Sequence, residues 1–189
     1  MSKRYEIRLA GSGGQGVILA SVILAEAAVE SGLSVVQSQS YGPEARGGVC
    51  KAEAILSRDV IRFPKVRHPD FLLALTQASL DKYSTELADG AVVMIDESLS
   101  VPDWLDPSRV VAVPILRTAR ETVGKLFTAN IVAVGAINAA LRLFDDKALF
   151  EGVRRRVPAG SEEINKTALA AGAALIPPEV TAAFAQKLG

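Results

Sequence analysis

Gly11, Gly13 and Gly16 stand at G-x-G-x-x-G spacing inside "LAGSGGQGVILAS", residues 9–21. Glycines so spaced permit a tight turn, let backbone N–H groups approach an anion, and bring a following helix close to its strand. The helix start adds free donors and a partial positive charge, so a phosphate there is physically reasonable. Tight helix–strand packing alone needs the same glycines, and that structural role stands beside the phosphate role. A nicotinamide site would also place an Asp or Glu at the end of the second strand, for the ribose hydroxyls. Here that strand ends "VVQSQS", with neither a carboxylate nor the arginine an NADP site would use. A helix terminus favours an anion by only about 0.3–1 kcal/mol when exposed and about 2 kcal/mol when partly buried. The turn is therefore either structural or one wall of a shared phosphate site.

Arg46 lies in "SYGPEARGG", Ser40 to Gly48, a loop because Gly42-Pro43 and Gly47-Gly48 break any regular element. Glycines on both sides let the backbone approach a neighbouring surface, where a guanidinium could grip a carboxylate or phosphate across a subunit interface. A local pair with Glu44, worth under about 1 kcal/mol, is the alternative. Tyr41 and Pro43 are expected to pack at the same junction. Ser40, Thr76 and Asp96 fall at the carboxyl ends of expected strands, where doubly wound sheets hold ligands. Thr76 suits a helix cap equally well, and Asp96 a turn cap. Asn130 opens an apolar helix, which points to capping or a core hydrogen bond. His68 precedes Pro69 on a connecting segment without an evident orienting partner. Cys50 sits on a strand and is expected to pack as a small apolar group. Arg154, Arg155 and Arg156 read as a solvated helix end, with a docking patch for an acidic partner as the alternative.

The elements that must position these residues alternate between strands and helices. Tyr5 to Ala10 is expected to be a strand, and Gln15 to Ser31 a buried helix ended by Gly32. Leu33 to Ser38 follows as a second strand. Val49 to Leu56 alternates apolar and polar side chains, the pattern of a half-buried strand suited to antiparallel pairing. "FLLALT" suits a central strand. A helix is expected after it, with Leu80, Tyr83 and Leu87 on one face and Gly90 at its end. Ala91 to Asp96 and Val110 to Ile115 read as further buried strands, and Asn130 to Phe144 as an almost wholly buried helix. The remainder reads as helical up to Pro177-Pro178. This order predicts an α/β fold, a Rossmann-like three-layer sandwich with a mostly parallel sheet, in one domain over 1–189.

The 189 residues are 49% hydrophobic with a formal charge of +0, and the mean hydropathy is +0.26. Apolar content of that size calls for a buried parallel sheet or for surface reserved for partner chains. A neutral chain has no global field for nucleic acid or an anionic membrane. One cysteine allows neither an internal disulfide nor the ligand set of an iron–sulfur cluster. That single thiol makes a reducing cytoplasm the expected location, and the apolar run from Val17 to Val29, interrupted by Glu26, is too short to span a bilayer.

"GSGGQGVILAS" followed by "SYGPEARGG" resembles the gamma subunit of the 2-oxoacid:ferredoxin oxidoreductases, and the tyrosine-bearing second motif is most similar to the 2-oxoglutarate branch. "NIVAVGAINAAL" (130–141) and "NKTALAAG" (165–172) extend the resemblance over nearly the whole chain. The resemblance implies a complex that converts a 2-oxoacid and coenzyme A into acyl-CoA and carbon dioxide, passing two electrons to ferredoxin. It implies alpha and beta partner subunits that hold thiamine diphosphate and magnesium between them. Iron–sulfur clusters would lie on the beta or a delta subunit. Within that frame Gly11, Ser12, Gly13, Gly14, Gln15 and Gly16 would cradle the diphosphate of coenzyme A, with Ser40 and Arg46 nearby. Lys166, next to Asn165, would be a candidate for its 3′-phosphate. No catalytic residue and no metal ligand is expected on this chain. Indolepyruvate, pyruvate and branched-chain 2-oxoacids are the alternative substrates, and a stand-alone nucleotide-binding module is the alternative of a different class.

Overall fold

The computed structural model describes residues 4–40 and 48–188, with side chains through Phe184. Six strands form one sheet: β1 (Arg4–Ser12), β2 (Ser34–Ser40), β3 (Val49–Ser57), β4 (Phe71–Ala74), β5 (Val92–Asp96) and β6 (Val110–Val113), in the spatial order β2-β3-β1-β4-β5-β6. The pairs β1–β4, β4–β5 and β5–β6 are parallel. β3 runs antiparallel to both β1 and β2 and is inserted between them.

That insertion corrects the expectation of a half-buried β3. All six residues from Ala52 to Ser57 are buried, because the strand lies inside a sheet that helices cover on both faces at this point. Its polar positions are satisfied in place. Arg8 Nε and Lys51 Nζ both donate to Glu53 Oε1, at 2.7 and 3.0 Å, and the Arg8 guanidinium stacks 5.3 Å from the Tyr83 ring.

The crossover from β1 to β2 moves one way along the sheet and that from β4 to β5 the other, so right-handed crossovers put their helices on opposite faces. Helix α1 (Val17–Glu30) packs with α4 (Ala129–Leu141) on the first face. Leu80 and Tyr83 of α2 (Gln77–Tyr83) join Leu72, Val93 and Ile95 on the second. The second helix is shorter than the apolar spacing suggests. It ends at Ser84, and the chain then turns aside as the Ala88 N–H bonds the Pro69 carbonyl at 3.1 Å. Leu87 and Gly90 therefore lie beyond it, and Leu87 packs against the core from the connecting segment.

A short helix α3 (Ile115–Arg117) follows Pro114, and α4 is buried along almost its whole length. The tail holds α5 (Asp146–Arg154), α6 (Glu162–Ala173) and α7 (Pro178–Leu188). Pro177-Pro178 does not end the helical region. Pro178 occupies the first position of α7, where a missing N–H costs nothing.

Candidate functional site: the carboxyl rim around the glycine turn

The reversal of crossover direction sets a switch point between β1 and β4, at their carboxyl ends. Ala10 pairs with Ala74 there, and the glycine turn rises from β1 directly above. Its shape comes from Gln15. Oε1 accepts the Ser12 N–H at 2.7 Å, and Nε2 donates to the Leu75 carbonyl at 3.2 Å. A Cβ on Gly11 would sit 2.5 Å from that Oε1, so Gly11 leaves room for the bridge.

Gly16 is the N-cap of α1, with φ 72. A Cβ there would meet Asn130 Nδ2 at 2.7 Å. Two of the three fingerprint glycines thus answer needs internal to this chain. Gly13 and Gly14 are exposed, with nothing within 4 Å of a Cβ on either; Gly14 is held at φ 92, which the turn itself requires, and Gly13 meets no such demand. The first hydrogen bond of α1 runs from Ala20 N–H to Gly16 carbonyl at 2.9 Å, so the N–H groups of Val17, Ile18 and Leu19 precede the helical ladder. α1 has no side-chain cap and no acidic residue in its first turn. A glycine rim with uncapped donors is chemically suited to a phosphate, and no acidic side chain stands in the first turn of α1 to repel one.

The other predicted positions separate into ring neighbours and structural parts. Ser40 ends β2 on the same rim, exposed. It and Ala10 both pair with Lys51 from opposite sides, which puts two strand spacings, about 10 Å, between them. A ribose beside β1 would therefore meet β3, not the end of β2, so the usual acidic position of nicotinamide sites has no counterpart in this sheet order. Arg46, Tyr41 and Pro43 lie outside the described residues. Thr76 caps α2 in a reciprocal box with Ser79. Asp96 is buried and occupied: Oδ1 accepts from Ser98 N–H and hydroxyl, and Oδ2 accepts the Leu116 N–H at 2.8 Å.

Asn130 lies one residue inside α4, its Oδ1 accepting the Ile131 N–H at 3.0 Å, while its amide packs on Gly16. Asn165 is buried and donates to Ser161, whereas Lys166 is exposed on α6, away from the glycine rim. His68 is exposed beside buried Pro69. Cys50 is buried, and burial pushes its thiol pKa up. Arg154 pairs with Glu151 of its own helix, but Arg155 reaches Glu30 at 2.7 Å and Arg156 reaches Glu26, both on α1. The arginine run is thus a solvated helix end that also straps α5 to α1.

Sequence reading missed the Gln15 bridge and the Gly16–Asn130 contact, since neither glutamine nor asparagine carries a spacing signal. It also missed the buried Arg8–Glu53 pair, which only β-register brings together.

The pattern of the pyruvate ferredoxin/flavodoxin oxidoreductase family matches residues 6–175, and the chain belongs to that family. Within it, the chain is 41% identical over 180 residues to the 2-oxoglutarate synthase subunit KorC of Methanothermobacter marburgensis, covering 92% of this chain and 97% of the relative. It is 42% identical to the subunit of that name from Methanocaldococcus jannaschii, covering 89% and 92%. The keto/oxoacid ferredoxin oxidoreductase gamma subunit of Geobacter sulfurreducens superposes with a TM-score of 0.81 at 43% identity, over 91% of this chain and 95% of that one. The 2-oxoglutarate:ferredoxin oxidoreductase of Magnetococcus marinus, solved with 2-oxoglutarate, coenzyme A and succinyl-CoA bound, shares the fold. Its TM-score is 0.79 at 22% identity, and the match covers 99% of this chain and 32% of that one. The chain is thus of the gamma-subunit type, a component of a multi-subunit oxidoreductase.

Proposed function

We propose that this chain is the gamma subunit of a 2-oxoglutarate:ferredoxin oxidoreductase and forms one wall of its coenzyme A site. The complex would convert 2-oxoglutarate and coenzyme A into succinyl-CoA and carbon dioxide, with the two electrons released passing to ferredoxin. Near-full-length identity above 40% to 2-oxoglutarate synthase subunits supports the substrate choice. The open rim at Gly13 and Gly14 beside the uncapped start of α1 is the observation that carries the site.

Thiamine diphosphate, bound with magnesium on the alpha and beta subunits, supplies carbanion stabilisation when present. Iron–sulfur clusters on the beta or a delta subunit carry the electrons. The residues of this chain hold and orient. Backbone N–H groups at Gly13, Gly14 and the first turn of α1 donate to the diphosphate of coenzyme A, with the Ser12 hydroxyl beside them. Gln15 and Asn130 keep that backbone in shape. Ser40 and Arg46 belong to the junction with the partner subunits, where Arg46 grips a carboxylate or phosphate. The cytoplasm, without membrane or nucleic-acid contact, is the setting.

A Gly13→Asp variant in the assembled complex tests the reading, because the site has room for the side chain and a carboxylate there repels phosphate. The KM for coenzyme A should rise at least tenfold, by analogy with a lost charge-assisted contact of about 1.4 kcal/mol or more, while the KM for 2-oxoglutarate stays put. An unchanged KM for coenzyme A with assembly intact would overturn the site.

A further inference from the structure

A cleft framed by α4, α5, α6 and α7 lies apart from the glycine rim, with a volume of about 810 Å³, inside the usual range of small-molecule sites. Its existence follows from how the outer helices dock. Gly152 lets α5 settle on α1, where a Cβ would meet the Ile23 carbonyl at 2.8 Å, and Arg155 and Arg156 strap the same pair of helices. Gly135 and Gly172 let α6 settle on α4, with the Leu169 and Val132 carbonyls against them. Thus α5 follows α1 while α6 follows α4, and the two are held apart with α4 as the floor. α7 closes one end, its Thr181 hydroxyl donating to the Ala139 carbonyl at 3.0 Å.

The lining combines the apolar side chains of Phe150, Leu169 and Ile176 with a surplus of cations. Arg142, Lys147 and Lys166 line the cleft from three different segments, against the single carboxylate of Asp146. None of these three cations has an ion-pair contact among the described residues, although the charge of Lys147 is felt by Glu151 one turn further along α5. Arg142 is also the one described non-glycine residue in the left-handed region, at φ 53, a conformation that costs energy and persists where the surroundings enforce it. Asn138 enforces it here. Its amide donates to the Phe144 carbonyl at 3.1 Å and accepts the Phe144 N–H at 3.0 Å, which fixes the turn that carries Arg142.

We propose that this cleft binds a small amphipathic anion, an apolar chain ending in a carboxylate, with the chain between α5 and α6 and the head among Arg142, Lys147 and Lys166. Apolar walls select the body. The surplus of positive charge in the lining selects the sign of the head.

Titration of the assembled complex with decanoate, decanol and decyltrimethylammonium by calorimetry tests it. Decanoate should bind saturably, one per copy of this chain, and at least about tenfold more tightly than the other two. Arg142→Gly should weaken decanoate about tenfold while the melting temperature holds or rises, because glycine accepts φ 53 freely. Ala173→Trp, an exposed position on the cleft wall, should block binding by filling the space. Three results would overturn the proposal: equal binding of all three probes, undiminished decanoate affinity in both variants, or binding by the isolated chain alone and not by the complex. The last would mean that a partner subunit covers the cleft.

Discussion

Gln15 is tied to Leu75 across the switch point of the sheet, its Nε2 donating to the Leu75 carbonyl at 3.2 Å while Oε1 holds the Ser12 N–H. One side chain therefore ties the path of the glycine turn to the end of β4, where the Leu75 N–H already bonds the Ala10 carbonyl at 3.0 Å. Gln15→Leu leaves a carbonyl and an N–H without partners and should cost about 1–3 kcal/mol in urea unfolding. Gln15→Glu keeps the acceptor but sets a carboxylate beside the rim. In the assembled complex it should raise the KM for coenzyme A more than Gln15→Leu does. An equal effect of the two would mean that shape alone, without charge, matters at this position.

Gly16 and Gly13 belong to one motif but face different constraints. Alanine at Gly16 must adopt φ 72 and displace the Asn130 amide, so Gly16→Ala should cost about 2 kcal/mol or more. Gly13→Ala meets open space and should leave the unfolding midpoint within about 0.5 kcal/mol of the parent. Chemical denaturation of the two variants side by side checks the contrast.

Arg8 is 2% exposed and Glu53 8%, which makes their pair a buried one. Truncation of one partner of such a pair leaves a charge without its counter-ion, at about 3–5 kcal/mol. Lys51 remains near Glu53 at 3.0 Å, so Arg8→Met should fall at the lower end, about 3 kcal/mol. Pairing it with Glu53→Gln should recover part of the loss in a double-mutant cycle.

Asp70 gives the fold a pH dependence. Burial pushes its carboxyl pKa above the ordinary range, and Glu6 adds to the shift, against the pull of the Glu6 N–H bond and the Arg4 charge. The folded chain then holds this proton more tightly than the unfolded one. Stability associated with Asp70 is therefore greatest at low pH and declines as pH rises from the unfolded value, about 3.9, through the raised folded value. Asp70→Asn should flatten that stretch of a plot of melting temperature against pH. An identical slope in both proteins would assign the dependence to other groups.

Much of this was legible in the residues themselves. Uninterrupted apolar runs located the strands at "FLLA" and "VVMID" and the buried helix around Asn130, because a short apolar run bounded by turn residues suits a strand covered on both faces and a longer one a buried helix. The glycine motif announced a strand–turn–helix, and the paired motifs announced a family. Contacts between residues far apart in the chain left no such mark. The insertion of β3 between β1 and β2, the burial of Arg8 against Glu53, the docking of Asn130 on Gly16 and the separation of α5 from α6 all depend on which surfaces meet. Local pattern records which side of an element is apolar. Only the assembled sheet and its helix layers decide what that side touches, and with it which glycines are spent on packing and which stay open to a ligand.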